Sequence, residues 1–407
     1  MNYSEFTNWL ISLTDSGISV VAVLLLVVQL PATAILLARL TKGPSRQLPL
    51  LPKASTPATL GQVSVLVPTL NEAERVGACL AGLTRQGYEV REMIVIDSCS
   101  QDGTVDLVKA AQQKDPRFRL ITDDPLPSGW VGRPWALHTG FLASSESSEW
   151  ILGIDADTQP QPGLVASLLE AAAANQYDVL SVSPQFILKY PGEFWLQPAL
   201  LVTLIYRFGP AGSASSGAER LLANGQCFLC RRSLLVRLGG YTQARGSFSD
   251  DVTLARYAAE QGATVGFLDG SKVLKVRMYE GAWDTWTGWG RSLDLKDSTA
   301  VAQTWGDVAF LLAVQGLPLI VTVFLGMLVL TGASTLSVMT ALGLNAFLLT
   351  VRIALLGGIA ATYDRTAQSS WAFWLSPLAD PLAVLRVFLS SLSSPTQWRG
   401  RIYKSNY

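Results

Sequence analysis

Charge is scarce in this chain. Of 407 residues only 15% are Asp, Glu, Lys or Arg, and 31 basic residues balance 31 acidic ones. An ordinary soluble domain carries roughly 25%. Disorder needs high charge and few apolar residues, whereas 49% of this chain is hydrophobic. Nucleic-acid binding rests on a basic surface, which zero net charge does not supply. Cysteine is scarce too: Cys79, Cys99, Cys227 and Cys230 are too few for a disulfide scaffold. Cys227 and Cys230 form a lone CxxC, and the single histidine, His138, lies far from it in sequence. A structural zinc site, which takes four nitrogen or sulfur ligands, does not assemble from these residues. Nor does a Ser/His/Asp or Cys/His nucleophile set form around His138, which reads as a packed or hydrogen-bonded residue.

The charge that is present is unevenly spread. Residues 1–60 carry six charged side chains and residues 308–407 carry eight, so 48 fall in the 247 residues between. That pattern is a water-facing domain flanked by membrane segments. Ile18–Leu40 is apolar for 23 positions, interrupted notably by Gln29, Pro31 and Arg39. About 20 such residues span a bilayer core. The run is too long for a cleaved signal peptide and lacks a basic segment before it. Val308–Val351 contains no charged residue over 44 positions, with TGAST (Thr331–Thr335) at its middle. It reads as a helical hairpin of two spans. Ser370–Leu392 contains Asp380 and Arg386, and Pro377 and Pro381 interrupt it. A broken, re-entrant or interfacial segment with a cytoplasmic tail is expected there. Basic residues follow the first span at Arg39, Lys42, Arg46 and Lys53. The positive-inside rule then puts the middle domain in the cytoplasm. The expected organisation is an anchor over 1–42, a proline-rich linker over 43–60, a catalytic domain over 61–300 and a membrane region over 301–407.

The middle domain alternates strand and helix. Val63–Leu70, Met93–Ser98, Phe118–Thr122 and Glu149–Asp157 are strand-like; Asn71–Gln86 and Thr104 to about Lys114 are helix-like. Such alternation predicts an α/β fold with a largely parallel sheet and ligands at the strand ends. Neither GxxxxGK[ST] nor GxGxxG occurs, which excludes the P-loop and the dinucleotide fingerprint.

Carboxylates at the strand ends carry the candidate chemistry. Asp155 and Asp157 follow an apolar strand with Ala156 between them. In extended backbone, residues i and i+2 face one side, so the two acids would converge. Paired hard oxygen donors suit Mg²⁺ or Mn²⁺ completed by substrate phosphates; the alternative is an N-cap and turn pair before Pro160. Asp250 and Asp251 open a helical stretch, either as caps or with one of them as a general base for a hydroxyl. Glu72 and Asp97 end strands on the ligand edge, where each either binds a nucleoside or caps a helix. Arg133, in SGWVGRPWALHTG, is a phosphate contact or a solvated surface residue. Trp283, Trp286 and Trp289 make one helical stripe beside Arg291 and Lys296, suited either to a membrane interface or to core. Phe194–Phe208 is apolar but too short to span. Its three readings are a substrate groove, a membrane-lying helix and core.

VPTLNE, VIDSCSQDGT, GRPWALHTG, DAD and SDDVTL occur in that order, at Val67, Val95, Gly132, Asp155 and Ser249. The set resembles the family-two inverting glycosyltransferases over about residues 61–300. The resemblance implies a GT-A fold, here flanked by N- and C-terminal transmembrane helices. It implies a nucleotide-sugar donor bound at Glu72, Asp97, Arg133 and Asp155, and a divalent metal, Mg²⁺ or Mn²⁺, on Asp155 and Asp157. It also places the base at Asp251, with Asp250 standing where glutamate is usual. Ser98 and Cys99 depart from the family's Asp-Gly. The QxxRW of processive synthases is missing; Thr285-Trp286-Thr287-Gly288-Trp289 keeps only its last residue. Within the family, SGWVGRPWALHTGF and the terminal membrane layout resemble transferases acting on carotenoids and hopanoids. The implied partners are therefore a nucleotide sugar and a membrane lipid acceptor. A carotenoid is preferred, through the 2′-hydroxyl of a myxol-type acceptor, with a hopanoid or a polyprenyl phosphate as alternatives and no nucleic acid. A rival of another class is a non-catalytic membrane protein, a transporter or a scaffold with a degenerate transferase domain. Few ionisable groups lie in the spans, where transport pathways need them, and every required acid is present.

Overall fold

The computed structural model describes residues 3–214, 217–293, 295–332, 334–392, 397–398 and 401–402. The expected cytoplasmic tail, with Arg399 and Lys404, lies outside them. Helix α1 (Tyr3–Leu40) carries the first apolar run. The middle region then alternates β1 (Val63–Thr69), α2 (Ala73–Thr84), β2 (Val90–Asp97), α3 (Thr104–Lys114), β3 (Phe118–Thr122), α4 (Gly132–Ala143) and β4 (Trp150–Ile154). It continues with β5 (Thr158–Pro160), α5 (Leu164–Asn175), β6 (Val179–Ser183), β7 (Gln185–Ile187), α6 (Pro191–Phe208), β8 (Cys227–Arg231) and α7 (Arg232–Leu238). Then come α8 (Asp250–Glu260), β9 (Val265–Asp269), β10 (Leu274–Val276) and α9 (Gly281–Ser292).

Seven strands form the main sheet in the order β3-β2-β1-β4-β8-β6-β9. Strands β1 to β4 pair in parallel, whereas β8 runs antiparallel to both neighbours. The valines, isoleucines and leucines of the central strands are buried on both faces by helices, as parallel sheets require. The chain steps outward from β1 through β2 to β3, then crosses back to lay β4 on the other side of β1. That reversal opens a crevice at the carboxyl ends of β1 and β4, where ligands bind in such sheets.

Cys227 and Cys230 lie three apart on β8 and enter separate buried clusters on opposite faces of the sheet. Both are free thiols, and burial raises their pKa. His138 is half-buried between Trp130 and Trp135 and accepts a hydrogen bond from the Tyr241 amide. The tryptophan stripe on α9 is graded: Trp283 is exposed, Trp286 half-buried and Trp289 buried.

After α9 come α10 (Val301–Leu311), a π-helical turn (Leu312–Gly316), α11 (Pro318–Leu330), α12 (Leu336–Ile359), β11 (Tyr363–Asp364), a 3₁₀ run (Gln368–Ala379) and α13 (Asp380–Leu392). Among the described residues, three helical stretches are long and apolar enough to cross a membrane: Gly17–Ser45, Leu336–Thr362 and Gln368–Leu392. A fourth candidate, Val301–Leu330, bends by 46°. The break expected in the final segment thus falls in the first arm of the hairpin. There Pro318 follows the π turn, the kind of site where helices kink. In the final segment Pro377 is absorbed by the 3₁₀ run, and Pro381 sits in the first turn of α13, where a missing N–H costs little.

This region is continuous with the middle one. β11 pairs with β7 in the second sheet, and α6 shares one buried cluster with Trp289, Val308, Leu356, Phe373 and Val384. Phe194–Phe208 is therefore largely core. Asp380 is buried against Arg352 at 2.8 Å, and Gln315 donates both to Asp380 and to the Ala199 carbonyl. Gln29 of α1 and Asn345 of α12 exchange amide hydrogen bonds at 2.9 and 2.8 Å, and Gln29 also donates to the Ala313 carbonyl in the π turn. Buried amide pairs between apolar helices contribute on the order of 1 kcal/mol. A double-mutant cycle of Gln29→Leu and Asn345→Leu, read by unfolding in detergent, should give a coupling of about 1 kcal/mol. Additive effects would show that the two helices are held by packing alone.

Candidate active site

The crevice at the strand ends holds a polar cavity of about 200 Å³. Glu72, Arg133, Asp155, Asp157, Asp250 and Asp251 all line it. Asp155 and Asp157 lie in a tight turn closed by the Thr158 amide on the Asp155 carbonyl, 3.2 Å, not in extended strand as expected. They nevertheless share the cavity, and Ala156 is buried.

Arg133 organises the site from the first turn of α4. Its Nε donates to Asp155 Oδ1 at 2.9 Å, its Nη1 pairs with Asp250, and its Nη2 donates to the Gly225 carbonyl at 2.7 Å. This arrangement differs from the expected phosphate contact: the guanidinium joins the two acidic motifs across the cavity. Burial works against its charge, but Asp155, Asp250 and Asp251 together hold its pKa well above the usual arginine value. A side chain at 225 would collide with it, since a Cβ there would lie 2.5 Å from Nη2. Glycine is needed at this approach.

Asp250 and Asp251 open α8 behind Ser249. The Gly225 amide donates to Asp251 Oδ2 at 2.5 Å. Burial raises both carboxyl pKa values; for Asp251 the neighbouring charge of Asp250 adds to this and the value reaches about 7. A carboxyl raised in this way binds more protons folded than unfolded between pH 4 and 7. Its ionisation therefore costs stability as pH rises through that window, and it becomes a base with a pKa near neutrality.

Glu72 sits at the N-cap position of α2, buried at the cavity wall, with Arg75 at 3.6 Å. Asp97 ends β2 but stands back from the cavity lining. Its oxygens accept from Thr69 (3.0 Å), the Ser100 hydroxyl (2.6 Å) and the Ser100 amide (2.9 Å). The backbone at Cys99 has φ of +64°, a conformation glycine adopts freely. The turn that glycine would make is kept, at a cost of about 1–2 kcal/mol.

The segment Asn224-Gly225-Gln226 also belongs to the site, although it carries no recognisable motif. It enters β8, which pairs with β4 at Ile154, and the Asp155 amide donates to the Gln226 carbonyl at 3.3 Å. The signal available in sequence was a small-residue turn before a strand, which only the antiparallel pairing turns into a neighbour of Asp155.

A second cavity, about 760 Å³ and largely apolar, opens behind the first. Its walls include Leu201, Leu204 and Ile205 of α6 and Val351, Leu355 and Ile359 of α12. Asn224, Gln226, Asp251 and Met278 line both cavities.

Among the described residues no cluster of three or more His, Cys, Asp or Glu forms a metal cage. Two carboxylates at the head of a cavity fit a hard cation that takes its remaining ligands from phosphate and water.

Residues 64–239 match the model of glycosyl transferase family 2. A 4,4′-diaponeurosporenoate glycosyltransferase from Staphylococcus haemolyticus is 25% identical over 238 residues, covering 58% of this chain and 62% of that protein. An undecaprenyl-phosphate mannosyltransferase from Micrococcus luteus is 30% identical over 114 residues, 27% of this chain and 44% of its own. The chain thus spans less than two thirds of these curated relatives. The fold is similar to that of a mannosyltransferase from Pyrobaculum calidifontis, solved in complex with GDP-Man and Mn²⁺. That likeness has a TM-score of 0.54 and 19% identity, covering 92% of this chain and 98% of the other. Together the comparisons support a glycosyltransferase enzyme with the GT-A fold and a mostly parallel sheet.

Replacing Arg133 by Met leaves Asp155 and Asp250 without their cation. Removing one partner of a buried pair costs about 3–5 kcal/mol. The loss should be greatest at pH 8.5, where Asp250, whose pKa burial raises, is ionised, and smaller at pH 5. Thermal unfolding at the two pH values checks this; an equal loss at both would place the effect in packing.

Proposed function

We propose that this protein is an inverting glycosyltransferase that moves a sugar from a nucleotide-sugar donor to a hydroxyl of a membrane lipid, with a carotenoid as the acceptor class. The observation that carries the reading is the position of Asp251, which lies in the wall of both the acidic donor cavity and the larger apolar cavity. A base at that junction can reach a lipid alcohol on one side and an anomeric carbon on the other.

The chemistry is one displacement. Asp251 takes the proton of the acceptor hydroxyl as its oxygen attacks the anomeric carbon. The bond from that carbon to the diphosphate oxygen breaks with its electron pair, and the nucleoside diphosphate departs. Attack opposite the leaving group inverts the anomeric configuration. Mg²⁺ or Mn²⁺, held by Asp155 and Asp157 with the donor's phosphates, would neutralise the charge on the departing group. Arg133 fixes the spacing between that acid pair and the base. Glu72 and Asp97 are assigned to the nucleoside end. The polar cavity is smaller than the roughly 300–1,000 Å³ that encloses a whole ligand, so the nucleoside extends along the groove outside it.

The similarity to a diaponeurosporenoate transferase supports a carotenoid acceptor, and the specific reading is 2′-O-glycosylation of a myxol-type carotenoid. The similarity to an undecaprenyl-phosphate mannosyltransferase supports the alternative of a polyprenyl phosphate; a hopanoid alcohol fits the same apolar cavity. The basic residues after the first span orient the catalytic domain to the cytoplasm.

Asp251→Asn should reduce transfer at least a thousandfold and leave nucleotide binding intact, as measured by initial rates and by calorimetry with the nucleotide. Near-normal transfer in that variant would remove Asp251 from the role of base. In the wild type, kcat/KM should rise with pH along a one-proton limb of apparent pKa about 7, a property of the Asp250–Asp251 pair. Chelation should abolish transfer, and Asp157→Ala should not regain it when Mn²⁺ is restored.

A further inference from the structure

The two cavities meet at a carboxamide that no step above employs. Gln226 is 95% buried and lines both cavities beside Asp251. Its orientation follows from a chain of hydrogen bonds that starts at a group unable to flip. The Gln226 backbone amide donates to Asn224 Oδ1 at 3.1 Å, which leaves Nδ2 as the donor end of Asn224. That Nδ2 donates to Gln226 Oε1 at 3.0 Å. The amide end of Gln226 is thereby identified, and Nε2, itself buried, has no hydrogen-bond partner among the described residues. A buried donor left unsatisfied costs about 1–3 kcal/mol, so such a group at a ligand junction points to an acceptor atom supplied by the ligand.

We propose that Gln226 is a specificity-determining residue whose Nε2–H donates to the oxygen of the acceptor's nucleophile, and that this nucleophile is a neutral alcohol. The inference rests on the transferase reading above and narrows it. An alcohol oxygen offers one proton and two lone pairs. The proton goes to Asp251, one lone pair accepts from Gln226 and the other attacks. A phosphate monoester offers no proton to Asp251 when fully ionised. It also brings negative charge to a junction lined by Asp251, beside a polar cavity that holds Asp155, Asp157 and Asp250 as well. The cation among those acids, Arg133, is taken by Asp155, Asp250 and the Gly225 carbonyl. Charge and hydrogen-bond complementarity therefore favour an uncharged hydroxyl.

The test uses the full chain in detergent with two probes, a carotenoid alcohol and undecaprenyl phosphate, and the variants Gln226→Met and Gln226→Glu. Methionine keeps the length and removes the donor; glutamate places a further acceptor and charge beside Asp251. The wild type should use the alcohol in preference to the phosphate. Gln226→Met should lower kcat/KM for the alcohol about tenfold to a hundredfold, and Gln226→Glu should lower it further. Nucleotide affinity measured without acceptor and the thermal midpoint should stay near wild type in Gln226→Met. Unchanged kinetics in that variant overturn the role, as does an equal fall in nucleotide affinity, which would make Gln226 a brace for its loop. Preference for undecaprenyl phosphate overturns the neutral-alcohol inference but leaves the lipid-transferase reading standing. Transfer to neither probe removes both.

Discussion

The polar cavity at the strand ends is arranged around one guanidinium. Arg133 faces Asp155 at the end of β4, Asp250 at the start of α8 and the carbonyl of Gly225 before β8. Five carboxylates lining a cavity of about 200 Å³ repel one another, and without a cation among them the site would protonate or open. The planar fork suits the task in a way an ammonium would not, because it engages partners in three directions at once. Asp251 has no hydrogen bond to this guanidinium among the described residues, and burial together with the charge of Asp250 lifts its pKa to about 7 against the opposing pull of Arg133. Two adjacent aspartates thus differ: Asp250 is paired with the arginine and Asp251 is held by the Gly225 amide.

Much of this was legible in the sequence because short-range rules govern it. The β-branched runs at Val63, Met93 and Trp150 could only be buried strands, and their alternation with amphipathic stretches fixed a parallel sheet with acids at its ends. Asp155, Asp157, Asp250 and Asp251 all reach one cavity. What escaped was set by pairings distant in the chain. Nothing local reveals that Arg133 is claimed by residues 22 and 117 positions away. The part played by Asn224, Gly225 and Gln226 depends on β8 running antiparallel to β4. Asp97 shows the opposite case: its strand-end position was correct, but Thr69 and Ser100 occupy its oxygens.

The membrane segments illustrate the same limit. Their lengths follow from hydropathy, but the bend does not, because prolines at 318, 377 and 381 are equivalent as letters. Their consequences depend on the helix type around each one. Asp380 looked like a fault in an apolar stretch and is instead the buried partner of Arg352. Of the readings for Phe194–Phe208, core describes most of the surface of α6, and part of the helix also walls the apolar cavity.

The merging of the two regions bears on how the molecule can be divided. β11 completes an edge of the second sheet, and α6 shares its buried cluster with Val308, Phe373 and Val384. A fragment ending near residue 300 would put that apolar flank in water and leave β7 with an open edge, a template for aggregation. The C-terminal quarter is therefore structural lining for the rest of the chain and cannot be trimmed away as a detachable anchor.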